Sequence, residues 1–389
     1  MANDTYTADA NGKVFAGRFN LPSWIRNQAV NTWGTVPLAQ TWTDADPALD
    51  ASVNPNFPSN APWRGAVGFP ARFAAWSGMA AYDGVLYDPI AGGHTDYAGN
   101  EGFKCDLKSE SPSVVRLNNP SGAIGNEITL NDGQESTGLY ADGRPRATHN
   151  YNSPVYYPPT NKVLVGMHGT GLYISGSGGT KRPVIFSPTT GEMELYGAAP
   201  SGSVGNGFSM CSTYDSSREL IWVRGGGSCA MFKYDPKTDT QTQRGNAYAL
   251  SGDTTCCYIP EHDVIVIIAG SNFVVFDCTA FTYTPITLSG SLVGMTLSGN
   301  CQIHYIGNNT LATWNNTTDT TIVNTFSFAS NPKTDNWAIG QLSVAAENAI
   351  TPTVKTANGT FGRFQWHDKL RIFTLINAVN QSLYFFKVA

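Results

Sequence analysis

The stretch that decides the fold is SMCSTYDSSRELIWVRGGGSCAMFKYDPKTDTQTQ, residues 209–243. It reads as a strand ending in an aromatic, a polar turn, an apolar strand, a Gly-rich break and a third strand. Each run is short, β-branched or aromatic, and bounded by turn residues. The same unit recurs on both sides. It appears as MAAYDGVLYDPIAGGHTDYAGNEGFKCDL at 79–107 and as HNYNSPVYYPPTNKVLVGMHGTG at 149–171, continued by KRPVIFSPTTGEMELY. Further copies are TTCCYIPEHDVIVIIAGSNFVVFDCTAFTYTPI at 254–286 and CQIHYIGNNTLATWNNTTDTTIVNTFSFAS at 301–330. The last is GRFQWHDKLRIFTLINAVNQSLYFFKV at 362–388. A "Tyr or Phe, Asp" or "Phe, Ser" step, as in FKYDPKT, VVFDCTA and VIFSPTT, is expected to mark the outer strand.

A repeated three- or four-stranded unit of this kind predicts an all-β protein built as a β-propeller. One blade cannot bury both faces of its sheet; stacking blades in a ring does so, and closing the ring protects the edges. Six copies are visible, with seven as the alternative. About 65 residues per copy is long for a blade of about 40–50. The excess falls at 40–75, 119–145 and 331–358, where a degenerate blade would have to lie. The last copy has three clear strands, and NTWGTVPL (31–38) reads as a lone outer strand. It is expected to complete that blade and close the ring. The chain is therefore read as one propeller domain, 1–389, with a closing strand and long loops in 1–78 and repeated blades in 79–389. SWIRNQAVNTW is the one short helix candidate. A sandwich of short strands is the competing architecture, but it does not require self-similar units.

Composition narrows the function classes. Only 14% of the 389 residues are charged, against about 25% in ordinary soluble domains. The net charge of −5 and the lack of a Lys/Arg cluster argue against nucleic acid as a partner. No apolar run approaches the length of a membrane span, so no membrane insertion is expected. The stretch MANDTYTADANGK has neither the basic start nor the apolar core of a signal peptide. That fits a chain made in a cytoplasm without export, one whose leader has been removed, or one released by lysis. The seven cysteines (105, 211, 229, 256, 257, 278 and 301) form no even framework and are expected to be buried small hydrophobes, with metal or disulfide roles as the alternative. Cys256 and Cys257 should face opposite sides of a strand.

The segments AGGHTDYAGNEGFKCDL, GRPRATHNYNSPVYYP and FGRFQWHDKLRIFTLINAVNQSLYFFKV carry a resemblance. The units over about 79–388 resemble kelch or galactose-oxidase-like blades, and these three segments are similar to a set of propellers, some of which are encoded in tailed-phage genomes. The resemblance implies a structural or adhesive virion component, in a phage tail or on the particle surface. Its partners would be other virion proteins, copies of itself and host-surface polysaccharide. It would be located in the virion, with no cofactor and no metal. A weaker resemblance is to propeller ulvan lyases, and it implies the alternative, a polysaccharide lyase cutting uronate glycans by β-elimination.

A lyase needs a cation for the uronate carboxylate, a base and an acid. Arg224, His149 or His168, and Tyr214 are the candidates in that order, with Arg218 competing for the first role. The other reading of these positions is structural, as hydrogen bonds between blades. His94, Asp96 and His149 lack the short spacing of a metal site. Trp24, Trp33, Trp42, Trp63 and Trp76 crowd the first 80 residues as binding candidates, for a protein interface or sugar rings, unless they are local core. The Gly-rich runs ISGSGGT (174–180) and VRGGGS (223–228) lack the Lys-Ser/Thr ending of a phosphate loop. No nucleophile elbow is present.

Overall fold

The computed structural model describes residues 21–50, 66–94, 96–121, 138–140, 142–168, 182–196 and 209–388, with backbone only at Met167 and His168. Within them the chain forms six small sheets. A first strand, β1 (Trp33–Thr35), precedes the blades. Blade 1 is β2 (Ala80–Tyr82), β3 (Val85–Asp88), β4 (Phe103–Asp106) and β5 (Val114–Arg116). Blade 2 is β6 (Pro154–Tyr157), β7 (Lys162–His168), β8 (Arg182–Phe186) and β9 (Met193–Leu195). Blade 3 is β10 (Cys211–Asp215), β11 (Leu220–Arg224), β12 (Gly227–Asp235) and β13 (Thr240–Leu250). Blade 4 is β14 (Thr254–Ile259), β15 (Val264–Ala269), β16 (Asn272–Asp277) and β17 (Tyr283–Pro285).

The chain then lays β18 (Leu288–Ser289) against the outer edge of blade 5. That blade is β19 (Gln302–Gly307), β20 (Thr310–Trp314), β21 (Asn324–Ser327) and β22 (Trp337–Gln341). Blade 6 is β23 (Phe364–His367), β24 (Ile372–Leu375) and β25 (Tyr384–Lys387). The first strands of successive blades pack side by side around the axis, and β23 returns beside β2. The molecule is a six-bladed propeller, not a seven-bladed one. Its ring closes as the repeat pattern predicts: β1 is the fourth strand of blade 6, pairing Trp33 with Phe386 and Thr35 with Tyr384. The helix expected near residue 23 is a single turn, Ser23–Arg26.

Repeat chemistry explains the blades. Four of the six inner hairpins use a four-residue turn whose last residue is left-handed: Asn161, Glu219, Asp263 and Arg371, with φ of 53, 52, 52 and 53°. Blades 1 and 5 use two-residue turns, Asp83–Gly84 and Asn308–Asn309, with both residues at positive φ. That geometry matches the twist of paired strands. One residue before each four-residue hairpin's last pair stands an aromatic: Tyr156, Tyr214, Tyr258 or Trp366. These aromatics wedge between blades. Tyr156 stacks on Tyr82 and Tyr87 of blade 1 at 4.3 and 5.2 Å. Tyr214 meets Tyr157 of blade 2 edge-on, and the Tyr258 hydroxyl reaches Ser217 of blade 3.

The core is divided into layers between blades. Cys256 lies in the layer shared with blade 3, and Cys257 in the layer shared with blade 5, so adjacent cysteines do face opposite ways. All seven cysteines are free thiols, six of them buried. The segment before blade 1 is tied down by a buried ion network. Arg72 pairs with Asp88 at 3.0 Å and Glu101 at 3.3 Å, the Trp42 indole donates to Asp88, and the Tyr97 hydroxyl donates to Glu101. The charges offset one another's burial, although one carboxylate oxygen of Glu101 is buried without a hydrogen-bond partner.

Candidate functional site at the upper mouth of the ring

In an antiparallel blade, the start of the inner strand, the end of the second strand and the start of the third lie at one end. That end is called the upper mouth here. Trp76, Tyr151, Ser209 and Phe361 each stand two to four residues ahead of an inner strand, with φ of 47, 50, 55 and 46°. His94, in the loop after β3, has φ 44°. Bulky L-residues rarely occupy this region, at a cost of about 1–3 kcal/mol each, and such strain concentrates where function needs it. Hydrogen bonds between blades hold them there. Tyr151 N donates to Trp76 O at 2.8 Å, Met79 N to Gly362 O at 3.0 Å and Phe361 N to Asn300 O at 2.8 Å.

The result is a continuous run of rings over the mouth. Trp76 lies 4.9 Å from His149, His149 is 5.5 Å from His94 and 5.9 Å from Tyr151, and Tyr151 is 5.9 Å from Phe361. The buried His149 places Nε2 3.4 Å from Asp96 Oδ2. Burial lowers its pKa below the ordinary value, while Asp96 pulls the other way. A neutral imidazole results near pH 7. Burial and the carboxylate of Asp253 push the Tyr151 phenol up. Among the described residues no cluster of His, Cys, Asp and Glu could hold a metal.

Amide side chains next to these rings tie the inner-strand segments of different blades together. Asn150 accepts from Gly78 N and donates to Gly78 O and Ile90 O. Asn152 donates to Thr254 O and Gly299 O, and Gln365 donates to Met79 O and Gly362 O.

From Phe361 the mouth continues through Asn300 into an open cavity of about 390 Å³. It lies against the upper end of blade 5, where three loops meet: 290–301 ahead of β19, the turn after β20, and the approach to β23. Its wall carries Thr296, Ser298, Asn300, Asn315, Thr317 and Lys355, with Met295 as an apolar element. The asparagines are fixed. Asn315 Nδ2 donates to Asn300 Oδ1 at 2.7 Å, and Asn315 Oδ1 accepts from both the amide and the hydroxyl of Thr360. Among the described residues, Lys355 Nζ donates to carbonyl oxygens, of Thr356 at 3.2 Å and Ala357 at 3.5 Å. Partial burial lowers its pKa.

The residues singled out from sequence fall as follows. His149 and Trp76 meet at the upper mouth. Arg224 is fully buried beside them in height but not in space to act: its guanidinium donates to Gly225 O, Gly227 O and Tyr248 O. Tyr214 pairs with Ile221, whereas Arg224 pairs with Cys211. Three residues apart along a strand means opposite faces and about 10 Å, so these two do not converge. Arg218 is engaged by Asp215 and Asp263. His168 ends β7, pairing with Arg182, and its side chain lies outside the described residues, as do Trp63 and ISGSGGT.

Among the tryptophans, Trp33 and Trp42 are buried. The half-buried Trp24 donates to Ser109 O and packs edge-on against Phe385. Trp33 and Trp42 therefore serve the core rather than a surface. Sequence reasoning missed Asn300, Asn315 and Lys355. LSGNC, WNNTTDT and VKTANGT read as turn-rich connections; placing them at equivalent ends of the repeat would have brought them to one mouth.

The chain matches no known protein family and no curated protein. Among solved structures it is similar to YjhT, with 9% identity and a TM-score of 0.40 over 78% of this chain and 91% of that one. It is also similar to the extracellular domain of BT4673 from B. thetaiotaomicron, with 13% identity and a TM-score of 0.34 over 61% of this chain. That alignment spans 25% of the BT4673 chain. Likenesses at this level carry nothing about activity or partners.

Proposed function

We propose that this propeller is a structural and adhesive component of a phage particle, making assembly contacts with other virion proteins or copies of itself and binding host-surface glycan at its upper mouth. The observation that carries the binding half is the cavity. It offers fixed amides, hydroxyls and one ammonium group on a rigid ring, the kind of preorganised polar lining that recognises a hydroxylated ligand. The virion half rests on the resemblance of the three quoted segments to phage-encoded propellers. Among the described residues no helix is long and apolar enough to cross a membrane.

The lyase alternative asks His149, His168, Tyr214 and Arg224 to share one substrate, and Arg224 is committed to backbone carbonyls. The His149–Asp96 pair is the feature that keeps a proton-transfer role in view. The test is a glycan array probed with the purified chain, alongside mass spectrometry of purified particles. Glycan binding without cleavage, together with the chain in the particle, supports the proposal. Release of unsaturated uronate products would replace it with the lyase, and absence from particles would remove the virion role.

A further inference from the structure

We infer that the blade 5 cavity is a subsite for a carboxylate-bearing sugar, with the Lys355 ammonium group receiving the carboxylate and Asn300, Asn315 and the neighbouring hydroxyls receiving the ring hydroxyls. The inference rests on the glycan-binding reading above and names its ligand class. Three observations lead to it.

The first is charge. Among the described residues, the lining contains one cation and no carboxylate, and Lys355 makes no ion pair. A half-buried ammonium group held only by carbonyls gains more from an incoming anion than an exposed, already paired lysine does. The second is valence. One ammonium group matches one carboxylate. A phosphate monoester would call for more cations or a nest of backbone N–H groups, and a nucleobase for an apolar or aromatic slot, where only Met295 stands. The third is order. Asn315 is locked by Thr360 and in turn orients Asn300, so the amide that faces the ligand loses little freedom on binding. Thr296 and Thr318 line the cavity with hydroxyls that make no hydrogen bond among the described residues. The volume of about 390 Å³ suits roughly one or two sugar rings.

The experiment is ligand-observed NMR and calorimetry on the whole chain. The probes are methyl glucuronide, methyl galacturonide and N-acetylneuraminic acid, with methyl glucoside and methyl galactoside as neutral controls. The wild type is expected to bind at least one acid sugar and to prefer it over its neutral counterpart. K355Q should lose roughly ten- to hundredfold in that affinity, the worth of a hydrogen bond to a charged group. K355R should retain part of it, and both variants should melt with the wild type. Equal binding by K355Q and wild type would overturn the inference while leaving glycan binding elsewhere on the ring intact. Preference for the neutral sugars would do the same. Failure of the wild type to bind any glycan, on the array or by NMR, would bring down both this inference and the reading it rests on.

Discussion

Trp33→Ala should test ring closure most directly. Trp33 comes from the start of the chain and Phe386 from its end, and they face each other across the β1–β25 seam. The Trp33 side chain is 1% exposed, its ring lies 5.3 Å from Phe386, and it joins the cluster of Trp314, Phe364 and Phe373 between blades 5 and 6. Its indole N–H donates to Thr321 O at 2.7 Å. Burying about 200 Å² of tryptophan at about 25 cal/mol/Å² is worth about 5 kcal/mol. Truncation also strands the Thr321 carbonyl, for about 1 kcal/mol more, and partial collapse of the void returns some of this. The expected loss is about 4–6 kcal/mol. Trp33→Phe, which keeps most of the packing, should cost about 1–3 kcal/mol. Urea unfolding followed by circular dichroism gives both numbers, and hydrogen exchange at Tyr384–Phe386 shows whether the seam opens. A loss below about 1 kcal/mol for the alanine variant, with unchanged protection of β25, would refute the claim that this side chain locks the ring.

Burial holds His367 down at about 3, with His304 adding to the effect, and holds His304 at about 4. An unfolded chain takes up these protons near pH 6.5. The stability kept by the neutral rings is therefore complete above pH 6.5 and is lost as pH falls toward 4 and 3. The loss is about 1.4 kcal/mol per pH unit for each imidazole. Urea melts at pH 7, 6 and 5 should show a shallower decline in H367N than in wild type; equal slopes would contradict this. Burial also raises the thiols of Cys105 and Cys257 to about 12 and those of Cys229 and Cys301 to about 11. Thiolate is the reactive form, so a disulfide reagent at pH 8 should leave these four unmodified in the native chain and label all seven cysteines in urea. Rapid native labelling at any of the four would show that the blade layers open. Arg224→Ala removes the guanidinium donor from Gly227 O and Tyr248 O, while Gly225 O keeps the Cys229 thiol, and should cost about 2–3 kcal/mol or more in urea unfolding. A variant as stable as wild type would return Arg224 to the list of groups free to meet a substrate.

The sequence by itself determined the ring. Its six units carry their own evidence, because hairpin turns, wedge aromatics such as Tyr156 and Tyr258, and the steps FKYD and VVFD are local features that repeat, although those steps end the third strand of a blade and not its outermost one. Closure was legible too: a blade lacking one strand at the end of the chain needs a strand from its start, and NTWGTVPL was the spare one. Of the mouth only His149 and Trp76 were legible, and the cavity beside it was not, since its chemistry comes from turns belonging to different blades. Whether a tryptophan is core or surface depends on what covers it, which is why Trp33 and Trp42 looked like Trp76 in the chain yet serve different ends. Arg224 had the charge a uronate needs, but only the tertiary structure shows three carbonyls consuming it. Asn300, Asn315 and Lys355 are separated by up to 55 positions and carry no motif. Ring geometry alone brings the start of one inner strand, the end of a second strand and the approach to the next blade to a single point, and that convergence makes the cavity.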